Sequence, residues 1–177
     1  EHVSGSTEAF ADKMNEKAAE LGLSSTHFVT PNGLDADEHY TTAKELCLIA
    51  SYALQNQTFC KIIRTPAHSF ANRTNTKQYH VTNHDAFLTN YAGAIGIKTG
   101  FTGNAGYCFC SAAKRGGITL ISSVLACGWP PHKTYKWTDT KKLMDYGFTN
   151  YKLVRLTETP MLQKIPVHGG RSNIMQP

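Results

Sequence analysis

One run, "AIGIKTGFTGNAGYCFCSAAKRGGITLISSVLAC" from Ala94 to Cys127, limits most severely what this chain can fold into. Three apolar stretches are cut by two tight breaks, one at Thr102-Gly103-Asn104 and one at Gly116-Gly117. Short apolar runs rich in β-branched and aromatic residues, separated by glycine turns, are strands of an antiparallel meander. "AIGIKTG" is then a strand, followed by "GYCFCSAA" and "ITLISSVLAC", the last two joined across "KRGG". Apolar residues make up 41% of 177, enough for the core of one domain, so the sheet has a partner layer to pack against.

That layer comes from helices flanking the run. Ser6 can cap a helix in which Phe10, Met14, Ala18 and Leu21 recur three or four residues apart, and Gly22 stops it. Thr42-x-x-Glu45 reads as a capping box for a second helix that buries Leu46, Ile49, Ala50 and Ala53. A third, short helix spans Thr58 to Arg64 and ends before Pro66. "AHSFANR" and "KQYHV" read as two strands joined at "TNT". A last helix runs from about His132 to Tyr146, with Leu143 inward and Gly147 closing it. Helices, then an antiparallel meander, then a returning helix make an α+β fold, an antiparallel sheet packed with helices.

Several function classes are disfavoured. Net charge is +5, but Lys and Arg are scattered, no basic stripe exists, and no nucleic-acid partner is expected. No stretch reaches the roughly 18 apolar residues of a membrane helix. The five cysteines, Cys47, Cys60, Cys108, Cys110 and Cys127, fit neither a CxxC nor a zinc pattern and read as free, mostly buried thiols. "DADEHY" lacks the glycine and glutamate of a calcium loop, since those positions hold Tyr40 and Leu46. There is no HExxH, so no metal and no cofactor are expected. Ser111-x-x-Lys114 matches a nucleophile-and-base string, but on a strand residues three apart point to opposite faces.

Lys98, Thr99 and Gly100 end the first strand of the meander. A lysine there can hold a carboxylate or tune a proton acceptor. A threonine hydroxyl can bond a carboxylate, and a glycine lets a substrate backbone lie along the strand as an added strand. These are the needs of a site for an extended peptide with a free C-terminus.

The chain resembles the serine-type D-alanyl-D-alanine carboxypeptidases, the low-molecular-mass penicillin-binding proteins of peptidase family S11. The resemblance rests on "GLSSTHFVTPNGLDADEHYTTAKELCLIA", "GIKTGFTGNAGYCFCSAAKRGGITLISSVLAC", "KKLMDYGF" and "KIPVHGG". It implies the fold shared by penicillin-binding proteins and β-lactamases, incomplete at its N-terminus. It also implies residues 1–152 as part of the catalytic domain and 153–177 as the start of a β-rich C-terminal domain. The family works through an acyl-enzyme on a serine of S-x-x-K, aided by S-x-N and K-T-G. Carried over, Lys98, Thr99 and Gly100 are the K-T-G motif. Thr102 is the hydroxyl residue that follows, and the Phe101 N–H completes an oxyanion hole at the substrate. The implied partners are peptidoglycan stem peptides ending in D-Ala-D-Ala and β-lactam antibiotics as inhibitors. The implied place is the bacterial cell envelope, outside the cytoplasm, with membrane attachment only through a C-terminal anchor absent here.

The departures from the family are specific. No S-x-x-K opens a helix and no S-x-N occurs, and Ser4-Gly5-Ser6 aligns after that second motif. Asn83 stands near a family arginine, and Asn32 replaces a family histidine. The chain is expected to begin downstream of the nucleophile and to be inactive alone. Two other readings stay open: a module that binds peptidoglycan peptides without cutting them, and a β-lactamase relative. Against the latter, neither Glu38 nor Glu45 opens an E-x-x-x-N string.

Overall fold

The computed structural model describes residues 1–154 and, beyond them, 165–166 and 174–175. Helix α1 (Thr7–Glu20) starts at Ser6, whose hydroxyl accepts the Ala9 N–H. The chain leaves it through Gly22 at φ +71°. Helix α2 (Ala43–Ala53) is capped by Thr42, which accepts the Glu45 N–H. Glu45 does not close a reciprocal box. It is buried, and its carboxylate accepts the Ser25 N–H at 3.0 Å and the Thr26 hydroxyl, anchoring the segment that follows α1 onto α2. Helix α3 (Gln57–Ile63) is capped by Asn56.

Strands β1 (Ala67–Ala71) and β2 (Gln78–Thr82) form a separate antiparallel ribbon. A short helix, α4 (Phe87–Asn90), follows it and has no counterpart in the sequence reading. Its four residues are too few for helical periodicity to register. Then comes the expected meander: β3 (Ala94–Thr102), β4 (Gly106–Arg115) and β5 (Ile118–Val124), in that spatial order and antiparallel throughout. Lys98 pairs with Cys110 and Thr99 with Phe109, and β3 continues two residues beyond Gly100.

Helix α5 (Tyr135–Asn150) differs from the sequence reading at both ends. It starts three residues after His132, because Pro130 and Pro131 hold the approach as a loop. It also runs through Gly147 instead of closing there. Gly147 is a packing residue: a Cβ would lie 2.5 Å from Leu120 Cδ1. Leu143, expected inward, is 48% exposed, and Met144 next to it is buried at 1%. A one-residue error in helical phase is a 100° rotation, enough to exchange core and solvent faces.

The sheet lies between helix layers. On one face, Cys110 Sγ approaches the Leu46 carbonyl of α2 at 4.0 Å. On the other, Phe109 meets Trp137 of α5 edge to face at 4.8 Å and Phe87 at 5.7 Å. Phe87, Tyr91, Phe109, Ala113 and Met144 form the core there, with Leu120, Val124, Trp137 and Phe148 packed around it. Tyr91 donates to Asp145 at 2.8 Å. Burial, then that carboxylate, push its phenol up to about 12. Most of the expected C-terminal domain, 153–177, lies outside the described residues; within it Ile165–Pro166 pairs antiparallel with Ile174–Met175.

Gly96 sets where β3 can run. The register shifts between Ala94 and Gly96, where φ is +135°, and an added Cβ would come within 2.9 Å of Ile63 Cδ1 on α3. Replacement by alanine combines a strained φ with overpacking. Gly96→Ala should therefore lower stability by about 2–4 kcal/mol in urea unfolding. A loss below about 0.5 kcal/mol would show that α3 does not hold β3 in this way.

Candidate functional site

Among the described residues β3 is one edge of its three-stranded sheet and β5 the other. Which of its backbone groups face outward follows from the far side of β4. The Tyr107 N–H donates to Gly128 O at 2.9 Å, and its carbonyl accepts the Cys127 N–H at 2.8 Å. Tyr107 thus spends both groups away from β3, and its partner Phe101 is a non-hydrogen-bonded pair with it. Phe101 therefore points N–H and C=O outward, and so, two residues earlier, does Thr99. The Lys98 ammonium donates to that Thr99 carbonyl. Lys98 and Gly100, by the same alternation, are bonded to β4.

Side chains alternate in the same way. Lys98 lies in the row of Cys110 and Ser123, on the α2 face; Thr99 lies in the row of Phe109 and Val124, on the α5 face. Lys98, Gly100 and Phe101 are exposed, and Thr99 and Thr102 are half-buried. Phe101 packs its ring on Tyr107 at 4.5 Å. The Thr102 hydroxyl donates to Asp35 at 2.7 Å and accepts the Ala105 N–H at 3.0 Å. It is a clasp between the end of β3 and the loop before α2. The turn beyond is held from a third side, by Trp129 Nε1 donating to Gly103 O at 2.7 Å. The five residues singled out in the sequence are thus contiguous on one exposed strand end.

The sequence reading missed Lys136 and Asp85. Lys136, in the first turn of α5, places its ammonium 5.0 Å from the Tyr107 ring centre and 4.7 Å from that of Trp137. Burial pulls its pKa down; the Asp85 carboxylate opposes that, and Lys133 and Lys98 reinforce it. Asp85 is 4% exposed and accepts the Phe87 N–H at 2.9 Å through Oδ1. The only sequence signal was weak: an acid before an apolar pair, and a lysine between two aromatics.

Other candidates fall away from this edge. Ser111 is fully buried and bonded to Ser122 at 2.9 Å, with Lys114 exposed and on the opposite face of β4. Asn83, near the family arginine, bonds the Ile63 and Thr65 carbonyls and receives the Asp85 N–H. Asn32 caps its own loop at the Leu34 N–H. All five cysteines are free, but each is half-buried where most were expected buried. Burial pushes Cys110 up to about 12 and, with a bond to Asp139, Cys127 up to about 11, so neither is a thiolate nucleophile.

An edge strand carrying Lys-Thr-Gly, backed by α5 and faced by α2, is the frame of the penicillin-binding-protein and DD-transpeptidase fold. The Streptomyces K15 DD-transpeptidase superimposes with a TM-score of 0.75 and 37% identity, over 82% of this chain and 58% of that one. A penicillin-binding protein homologue from Mycobacterium tuberculosis gives a TM-score of 0.75 and 34% identity, over 88% of this chain and 59% of that one. Residues 1–128 match the Peptidase_S11 model, D-alanyl-D-alanine carboxypeptidase, and the chain belongs to that family. The D-alanyl-D-alanine carboxypeptidase DacF of Bacillus subtilis is 31% identical over 99% of this chain and 44% of its own length. The chain spans about half the length of the curated relatives it matches.

The clasp has a measurable consequence. Thr102→Val keeps the shape and removes both hydrogen bonds, so stability should fall by about 0.5–1.5 kcal/mol. The Ala105 amide should exchange faster with solvent. Unchanged exchange at Ala105 would mean that the hydroxyl does not hold the turn.

Proposed function

We propose that this chain supplies the K-T-G side of a serine D-alanyl-D-alanine peptidase site. The observation that carries this reading is the free edge at Thr99 and Phe101 with the Lys98 ammonium beside it. An extended stem peptide can add to β3 as a further strand through the outward groups of these two residues. The substrate is a peptidoglycan stem ending in D-Ala-D-Ala. Its terminal carboxylate is drawn to the cationic surroundings of Lys98 and Lys136 and to the Thr99 hydroxyl. Gly100, without a side chain, leaves room for the peptide backbone. Thr102 keeps the strand end in place.

The nucleophile is a serine of an S-x-x-K segment outside these 177 residues. It attacks the carbonyl of the penultimate D-Ala, and the Phe101 N–H stabilises the oxyanion. Terminal D-Ala leaves with a proton from the site's base, and water hydrolyses the ester. A β-lactam, also a carboxylate beside an acylating carbonyl, takes the same place. The work belongs to the bacterial cell envelope.

Removing the Lys98 charge tests this in the full-length protein. Lys98→Ala should slow acylation by a labelled penicillin about thirty- to a thousand-fold, the effect of about 2–4 kcal/mol in a shielded site. Lys98→Arg should restore part of it, since the guanidinium keeps the charge but is wider and planar. The melting temperature should stay near the parent's. Parental acylation by Lys98→Ala, or a loss explained by unfolding, removes the assignment. The 177 residues alone should take no covalent label; label that vanishes in Ser111→Ala would make Ser111 the nucleophile.

A further inference from the structure

The clasp at the end of β3 fixes a carboxylate beside the proposed path of the substrate. Asp35 belongs to the loop before α2, yet its Oδ1 accepts the Thr102 hydroxyl at 2.7 Å and ties the side chain to β3. Asp35 is exposed and forms no ion pair among the described residues, where its Oδ2 also receives no hydrogen bond. From Leu21 to Ala43 the sequence holds three carboxylates, Asp35, Asp37 and Glu38, and neither lysine nor arginine. One oxygen of Asp35 is thus held and the other free, in a negative setting. The Lys98 ammonium belongs to a residue four positions back along the strand, or about 13 Å at 3.3 Å per residue.

The strand register says which residue of an added peptide meets that carboxylate. Phe101 turns both backbone groups outward, so in an antiparallel addition it exchanges both hydrogen bonds with a single residue of the peptide. In the proposed reaction that residue is the penultimate D-Ala, whose carbonyl takes the Phe101 N–H. The terminal D-Ala then lies opposite Gly100, with its carboxylate toward Thr99 and Lys98. The peptide runs against β3, and the residue before D-Ala-D-Ala falls opposite Thr102. Directly opposed L-residues stand with their Cβ atoms about 5 Å apart on the same face. The Thr102 side chain alternates with that of Phe101 onto the α2 face, where it meets Asp35. An L-residue opposite Thr102 therefore sends its side chain over the clasp, toward the free oxygen of Asp35.

From this geometry we propose that Asp35 is a specificity-determining residue: it selects stem peptides in which the residue before D-Ala-D-Ala carries a free side-chain ammonium, over stems in which that amine is acylated. The groove is dipolar, cationic at Lys98 for the substrate carboxylate and anionic at Asp35 for the amine. The clasp fixes the carboxylate in advance, so pairing orders one flexible side chain and not two. An acylated amine, as in a crosslinked stem, is a neutral amide and draws nothing from that charge. The inference rests on the proposed reading of the site and adds to it a preference for uncrosslinked stems.

The test uses the full-length protein and Nα-acetyl-L-lysyl-D-Ala-D-Ala with its ε-amine free, acetylated or succinylated, and follows release of D-Ala. In the parent, kcat/KM should be about three- to fivefold higher for the free amine than for the acetylated peptide, the size of one exposed charge pair, and the difference should lie in KM. The succinylated peptide, which carries a carboxylate there, should be the poorest of the three. In Asp35→Asn the amide oxygen still accepts from Thr102 but the charge is gone, and the three peptides should converge to within about twofold. Asp35→Glu, which keeps the charge, should keep their order. A loss in Asp35→Asn that falls on all three peptides alike and leaves their ratios unchanged is the mark of a structural role and would overturn the proposal. The parent provides an arm that needs no variant to fold: its preference should shrink toward unity at about 1 M salt, and a preference indifferent to salt would also overturn it. A parent that takes penicillin but turns over the free and acetylated peptides equally overturns this inference and leaves the reading of the site standing. A parent that takes neither penicillin nor any of the peptides removes both.

Discussion

The pairing register between β3 and β4 is the constraint on which the rest of this structure depends. In an antiparallel pair, hydrogen-bonded and non-hydrogen-bonded positions alternate strictly, and so do the faces of the side chains. With Phe101 opposite Tyr107, Thr99 and Phe101 offer backbone groups to the free edge, while Lys98 and Gly100 secure the strand. Slipping by one residue would invert every one of these assignments. The register is pinned at both ends by different means. At the start, Gly96 takes a φ of +135° against Ile63. At the end, Thr102 is clasped to Asp35, and Trp129 holds Gly103.

Edge strands normally invite aggregation, and proteins protect them with charge or distortion. β3 carries both, the Lys98 ammonium and the irregularity at Gly96. The opposite side of the same strands is dry and aromatic. There Phe109, Phe87, Trp137 and Met144 fix α5 against the sheet and so fix where its first turn delivers Lys136. Core packing and site electrostatics are coupled through that helix. A charge placed against aromatic rings loses hydration, and its protonation then depends on the few charges buried beside it.

The sequence by itself determined the meander, its two turns, the helices α1 to α3 and the place of Lys98-Thr99-Gly100 at a strand end. These are local properties: period-two alternation, caps and glycine breaks are written in neighbouring residues. Its family likeness followed from the same short stretches. The tertiary structure alone decided what depends on distant segments. Gly147 reads as a helix stop, but Leu120 across the interface makes it a packing position inside α5. Glu45 reads as half of a capping box, but the half-buried Ser25 N–H and the buried Thr26 hydroxyl claim its carboxylate. Leu143 and Met144 exchange places because helical phase is set by the sheet against which α5 lies. Phe87 and Trp137, fifty positions apart by number, both pack on the Phe109 ring only when α4 and α5 lie on the same face. No local pattern records such a meeting, because the energy that enforces it is the burial of the aromatic core between them.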